Sequence, residues 1–248
     1  MHTESQLASS GTSHLIEKSM LLSNVLKKAM GETTVSRQES RYRFLTISRN
    51  RGSLGDSIAE GLAGGLGWHL FDKEIVNYIS ENSRVRENLV RELDERSQTL
   101  VQDTIGRFLG MAGGTPFGMF EYHQALIKTL AYLAARGNAI IMGRGSNFAL
   151  RGDPHGLHVR ITASTETRIA RLSSRWGVSA TEARRRMIGI ETERREFLKR
   201  HFQHSADDDR YYDIVYNTDR MEPEYVVASI LGVLSLPACS EIPVSAKP

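Results

Sequence analysis

Five short apolar runs, each separated from the next by a segment of helical period, constrain this chain more than any other feature. They are residues 43–48 (RFLTIS), 68–71 (WHLF), 138–142 (NAIIM), 157–161 (LHVRI) and 212–216 (YDIVY). Each has the length and composition of a strand. Between and after them, residues 56–66, 72–82, 84–109, 119–135, 165–175 and 179–200 read as helices, with MAGGTPFG breaking the pattern after 109. Ser179 and Glu182 form a capping box that opens one helix, and Pro223 sits in the first turn of a last one. Parallel strands need a crossover of a dozen or more residues, which a helix supplies, and the helices then cover both faces of the sheet. The alternation therefore predicts an α/β fold with three layers and a five-stranded parallel sheet.

The chain is long enough, at 248 residues with 40% hydrophobic, to bury a core of that kind. No run of about 18 apolar residues predicts a membrane span. The N-terminal MHTESQLASS lacks the basic and apolar regions of a secretory signal, and the single Cys239 permits no intrachain disulfide, so a reducing, cytoplasmic setting is expected. The organisation reads as a flexible leader over 1–40, with an amphipathic helix near 15–30, a folded domain over 41–235, and a disordered tail over 236–248.

Charge is distributed unevenly. Residues 168–200 hold ten arginines and lysines against four glutamates, an excess of six in a chain whose net charge is +3. Such a stretch suits an arginine-rich lid over phosphates, a solvated helical face, or a nucleic-acid patch. Aromatic interleaving is limited to Trp176, Phe197 and Phe202, which makes RNA the poorer reading. His201 and His204, followed by Asp207, Asp208 and Asp209, read as solvent-facing residues rather than a zinc site.

The first strand runs into SRNRGSLGDSIAEGLAGGLG. A strand, a glycine loop and a helix make a phosphate cradle, because glycines let backbone N–H groups turn toward an anion at the helix N-terminus. Laid on G-x-x-x-x-G-K-[ST], the chain reads Asn50-Arg51-Gly52-Ser53-Leu54-Gly55-Asp56-Ser57. The second glycine and the serine are present; Asn50 stands for the first glycine and Asp56 for the lysine. An ordinary strand–turn–helix with Asp56 as cap accounts for the same residues.

Further blocks extend the pattern: AIIMGRGSNFAL, HVRITASTETRIARL, ETERREFLKRHF and YYDIVYNTD. Together with the opening LTISRNRGSLGDSIAEGLAGGLGWHLFDKEIV, their order and spacing resemble the cytidylate kinase-like family, relatives of the P-loop nucleoside-monophosphate kinases. The resemblance covers about residues 43–234. It implies a three-layer P-loop NTPase-type fold with strand order 2-3-1-4-5 and a helical arginine-rich lid at about 179–210. It implies ATP-dependent phosphorylation of a nucleoside monophosphate, CMP or dCMP, with Mg²⁺ bridging the phosphates. Arg144, after a buried strand, matches the arginine that holds the acceptor monophosphate, and Asp72 falls where the family places acceptor contacts. Asp72 also reads as an N-cap, with Glu74 in the first turn of the helix it opens. Arg49, Arg51, Gly52, Ser53, Gly55 and Ser57 fall on the donor-phosphate loop, and Asn217 near the donor base. Arg194, Arg195 and Arg200 are the expected catalytic arginines of the lid, with Arg168 and Arg171 as further candidates.

Asp56 departs from that pattern. Facing the phosphates, it would repel each charge by about 4 kcal/mol at 4 Å and an effective dielectric near 20. Either it points away, toward solvent or local N–H groups, while Arg49 or Arg51 supplies the positive charge, or the chain is a nucleotide-binding or regulatory module with impaired turnover.

Overall fold

A computed structural model describes residues 41–83, 86–87, 93, 95–109 and 117–236. The expected leader helix and the tail beyond 236 lie outside the described residues, as do parts of the expected helix over 84–109 and of the MAGGTPFG break. The elements, in chain order, are β1 (Phe44–Arg49), α1 (Gly55–Leu66), β2 (His69–Phe71), α2 (Lys73–Glu81), α3 (Glu95–Leu109), α4 (Phe117–Arg136), β3 (Ala139–Met142), α5 (Ser146–Ala149), β4 (Gly156–Thr162), α6 (Thr165–Trp176), α7 (Ala180–Phe202), a 3₁₀ turn (Asp209–Tyr211), β5 (Ile214–Asn217) and α8 (Pro223–Ser235).

The strands form one five-stranded sheet in the order β2-β3-β1-β4-β5, all pairs parallel. β1 is central, with Leu45 opposite Ile140 of β3 and Leu157 of β4. Its residues Phe44 to Ser48 are buried, as a strand covered on both faces requires. Leu45 and Ile47 join Ile58 and Leu62 of α1 and Val226, Ile230 and Leu234 of α8 in the core of one layer. On the opposite side of the pleat Thr46 hydrogen-bonds His158 of β4 at 2.8 Å, and α4 buries Leu126, Ile127 and Leu130. A smaller cluster of Ile169, Leu172, Ala183 and Met187 holds α6 against α7.

Caps fix where helices begin. Ser179 accepts the Glu182 N–H at 3.3 Å, as its capping box predicts. The Glu182 carboxylate does not return the bond but pairs with Arg185 and Arg186. The helix continues two residues past the expected end, to Phe202. β5 begins two residues later than its apolar run, because Tyr212 and Asp213 are drawn into tertiary bonds. The Tyr212 hydroxyl donates to Ser48 Oγ at 3.2 Å, and an Asp213 carboxylate oxygen accepts the His158 N–H at 2.7 Å.

Candidate active site

A cavity of about 880 Å³ opens where β1 and β3 end, walled by the loop after β1, the turn after β3, and helices α6 and α7. Ligands of parallel α/β sheets collect at such strand ends.

The loop after β1 is tied from within. Ser53 is fully buried; its N–H and hydroxyl both donate to Asn50 O, at 3.2 and 2.8 Å, and the hydroxyl also reaches Ile161 O at 3.1 Å. Gly52 has φ +88°, and a Cβ there would lie 2.9 Å from Arg168 O, so only glycine fits. α1 starts at Gly55, one residue earlier than its apolar stripe predicts. No side chain caps it, whereas Asp72, Ser164 and Ser179 cap α2, α6 and α7. The first N–H groups of α1 thus stand at the cavity without a side-chain partner, together with the positive end of the helix dipole.

Asp56 lines the cavity in the first turn of α1 and accepts from Arg49 Nε at 3.0 Å and Arg51 Nη1 at 3.5 Å. A second carboxylate, Glu191 of α7, meets the other side of the loop: one oxygen accepts from Asn50 Nδ2 at 3.2 Å, the Arg51 N–H at 3.2 Å and Arg168 Nη1 at 2.6 Å.

The turn after β3 is built from three successive left-handed residues, Gly143, Arg144 and Gly145, with φ of +70°, +54° and +68°. Gly145 is required because a Cβ would fall 2.1 Å from the Phe202 ring. Arg144 adopts this conformation at a cost of about 1–2 kcal/mol, and such strain gathers at functional turns. Its guanidinium lies 4.4 Å from the Phe197 ring centre.

α7 contributes Glu191, Arg194 and Phe197 at spacings of three, one helical face. Arg194 Nη1 donates to the Arg49 carbonyl and Nη2 to Ser48 Oγ at 3.0 Å. Burial, reinforced by neighbouring Arg49, pushes its pKa below the usual arginine value, against the opposing pull of Tyr212; an arginine stays charged even so.

Eight arginines and lysines line the cavity against four carboxylates. Three donors on its walls, Arg51 Nε, Arg144 Nε and Asn147 Nδ2, are buried and have no hydrogen-bond partner among the described residues. Buried donors seldom go unpaired. A ligand rich in acceptor oxygens matches both the charge excess and these donors.

Of the residues singled out from sequence, Arg49, Arg51, Gly52, Gly55, Ser57, Arg144, Arg194 and Arg200 meet at this cavity. Ser53 lies beneath the loop. Asp72 caps α2, accepting from the Glu74 and Ile75 N–H groups at 2.9 and 2.8 Å, while its neighbour Lys73 reaches the cavity. Arg195 is exposed on α7 and donates to Thr192, and Asn217 accepts the Asp219 N–H at 2.9 Å; neither lines the cavity. Arg168 serves the Glu191 pair. Arg171 lines the cavity and also holds Thr218, whose hydroxyl donates to Ser53 O. His201 and His204 are not solvent-facing. His201 stacks on His123 at 5.6 Å and touches Phe197, and His204 packs on Phe148 and Tyr211. Glu191, Lys73, Phe197 and Asn147 were not singled out as site residues; the three-residue spacing from Arg194 was the available signal for Glu191 and Phe197.

Among curated proteins no sequence matches this chain. Among solved structures, an uncharacterized protein from Eubacterium ventriosum is 17% identical with a TM-score of 0.56, covering 77% of this chain and 97% of that one, and shares its fold. A shikimate kinase from Bacteroides thetaiotaomicron is 15% identical with a TM-score of 0.41, covering 78% of this chain and 98% of its own. A sugar kinase from a Janibacter species is 19% identical with a TM-score of 0.42, covering 78% and 94%. The model of the cytidylate kinase-like family matches residues 44–220, well over half of the sequence, and the chain belongs to that family.

Proposed function

We propose that the protein is an ATP-dependent nucleoside-monophosphate kinase with CMP or dCMP as acceptor, acting in the cytoplasm. The observation that carries this reading is the meeting, in one cationic cavity, of the uncapped N-terminus of α1 and Arg144 on its left-handed turn. The first is a seat for donor phosphates and the second for the acceptor monophosphate. The helical segment over about 179–210 is the lid.

In the transfer, an acceptor phosphate oxygen forms a bond to the γ-phosphorus while the bond from that phosphorus to the β,γ-bridging oxygen breaks. The bonding pair leaves with the bridging oxygen on ADP. The acceptor oxygen is already deprotonated at neutral pH, so no general base is needed. The chain's task is to hold donor and acceptor in line and to meet charge on the equatorial oxygens. The N–H groups of α1 receive the donor phosphates, and Arg144, set by its turn, receives the acceptor phosphate. Arg194 fixes the end of β1, and Arg200 stands on the lid wall.

Mg²⁺ would neutralise charge between the donor phosphates. It takes few protein ligands and keeps several waters, so the exposed Ser57 hydroxyl on the cavity wall fits it. Asp56, already accepting from two arginines, is poorly placed to add a bond.

One observation favours a second reading, a nucleotide-binding module without turnover. The position expected to hold lysine carries a carboxylate that engages two loop arginines. A coupled ADP-release assay across ribo- and deoxyribonucleoside monophosphates decides. Acceptor-dependent ADP release, strongest with CMP or dCMP, is expected; ATP binding without release from any acceptor selects the second reading.

A further inference from the structure

Arg49 occupies a place that neither the loop nor the lid explains. Its stem passes over Gly55, where an added Cβ would lie 2.6 Å from Arg49 Cβ. Its Nε is fixed by Asp56 at 3.0 Å. Its Nη1 lies 3.3 Å from where a Gly143 Cβ would stand, so the guanidinium spans from the donor loop to the turn that presents Arg144. Among the described residues neither Nη of Arg49 has a protein acceptor. Arg194 holds the Arg49 carbonyl, so the backbone under this side chain is fixed as well. Arg51 is aimed elsewhere: its guanidinium lies 6.0 Å from the Trp176 ring, at the end of α6, and it meets Asp56 only at 3.5 Å.

On the kinase reading above, we infer that Arg49 contacts the terminal phosphoryl group of the donor and that Asp56, standing where a lysine is expected, is the positioning residue that aims it. A donor triphosphate seated on the N-terminus of α1 points its last phosphate toward the acceptor turn. The two free Nη groups of Arg49 lie in that interval. A planar fork of donors suits two phosphoryl oxygens. The carboxylate of Asp56 is neutralised by its arginines rather than presented bare to the phosphates. Holding Nε leaves the guanidinium only the orientation in which Nη1 faces Gly143.

The pairing makes a prediction about γ-phosphate discrimination that requires no turnover. Calorimetric titrations with MgATP and MgADP, without acceptor, would be run on the wild type, Arg49→Ala, Arg49→Lys, Asp56→Asn and Arg51→Ala. Glu224→Ala on the exposed first turn of α8, away from the cavity, serves as control, and melting curves report folding of each variant. The wild type should prefer ATP. Arg49→Ala should lower ATP affinity roughly 10- to 100-fold, the range for hydrogen bonds to a charged group, and ADP affinity by less than about threefold. Asp56→Asn should reduce the ATP preference while the protein melts normally, and Arg49→Lys should restore only part of it, because lysine cannot reproduce the Nε anchor. An ATP preference unchanged in Arg49→Ala overturns the inference, as does one lost only in Arg51→Ala. A preference that rises in Asp56→Asn shows that Asp56 repels the phosphate and also overturns it. If the preference follows Arg49 and Asp56 but no acceptor yields ADP, the inference stands and the kinase reading fails. If ADP release is robust but the preference ignores both residues, the kinase reading stands and the inference fails. A wild type that binds neither nucleotide overturns both.

Discussion

At residue scale, the turn after β3 is where chemistry and strain coincide. Arg144 is held in a left-handed conformation between two glycines, over Phe197, with its Nε buried and unpaired among the described residues. Arg144→Ala should therefore leave folding intact, since alanine keeps the Cβ and the same backbone cost, and weaken acceptor monophosphate binding by about 1.5–3 kcal/mol, read by calorimetry. Unchanged acceptor affinity would remove it from the site. Gly145→Ala should act through the fold instead: its Cβ would enter the Phe202 ring, so a loss of about 1–3 kcal/mol is expected in denaturant unfolding. Arg144 came from its place after a buried strand and from the family resemblance, whereas motif arithmetic placed Gly52, Gly55 and Ser57 on the loop, because loop position follows directly from chain order. It could not give direction. Ser53 sits in the loop but spends its polar atoms on the loop interior, whereas Asp72 takes the helix cap that its place before Lys73 and Glu74 also allowed. The orientation of Asp56 depends on Arg49, seven residues away on a strand, and no local pattern records that.

At element scale, α7 does more than wall the cavity. Glu191 ties it to the β1 loop, and Arg168 of α6 completes the junction with little solvent exposure, 9% for its side chain and 19% for that of Glu191. Removing one member of a buried ion pair leaves the other charge uncompensated, typically at about 3–5 kcal/mol. Because Glu191 is partly exposed, Glu191→Ala should cost nearer 3 kcal/mol, lowering Tm by roughly 5–10 °C in a domain of this size. A melting curve that matches the wild type would show that the junction contributes nothing. The strands and most helix limits were legible from apolar spacing, since a parallel sheet forces two-sided burial and helical crossovers. The late start of β5 was not: Tyr212 and Asp213 extend the apolar-looking run but are captured by Ser48 and His158. Nor was the half-buried setting of His201, which rests on His123 from α4.

At the scale of the whole molecule, the sheet itself carries a pH dependence centred on His158. This histidine sits in β4 beside the central strand, 2% exposed, sharing a hydrogen bond with Thr46 and lying edge-on to Phe44. Burial pushes its pKa down to about 4; the Asp213 carboxylate opposes the shift, Arg151 adds to it and Asp153 opposes it. In the unfolded chain a histidine titrates near 6.5. Between those values the unfolded state binds a proton that the folded state refuses, so stability is full above about pH 6.5 and falls as pH drops toward 4. A gap of that size corresponds to about 3 kcal/mol at its limit. His201, also lowered to about 4, chiefly by burial with His123, Arg200 and Arg144 adding to it, has the same sign. Its contribution is smaller because it is only half-buried. Urea unfolding at pH 7.5, 6.5, 5.5 and 4.5 should show the wild type losing about 2 kcal/mol over the range. In His158→Gln the fall should be much shallower, although that protein starts less stable at pH 7.5. Parallel slopes for the two proteins would mean that the buried histidine is not the group being titrated.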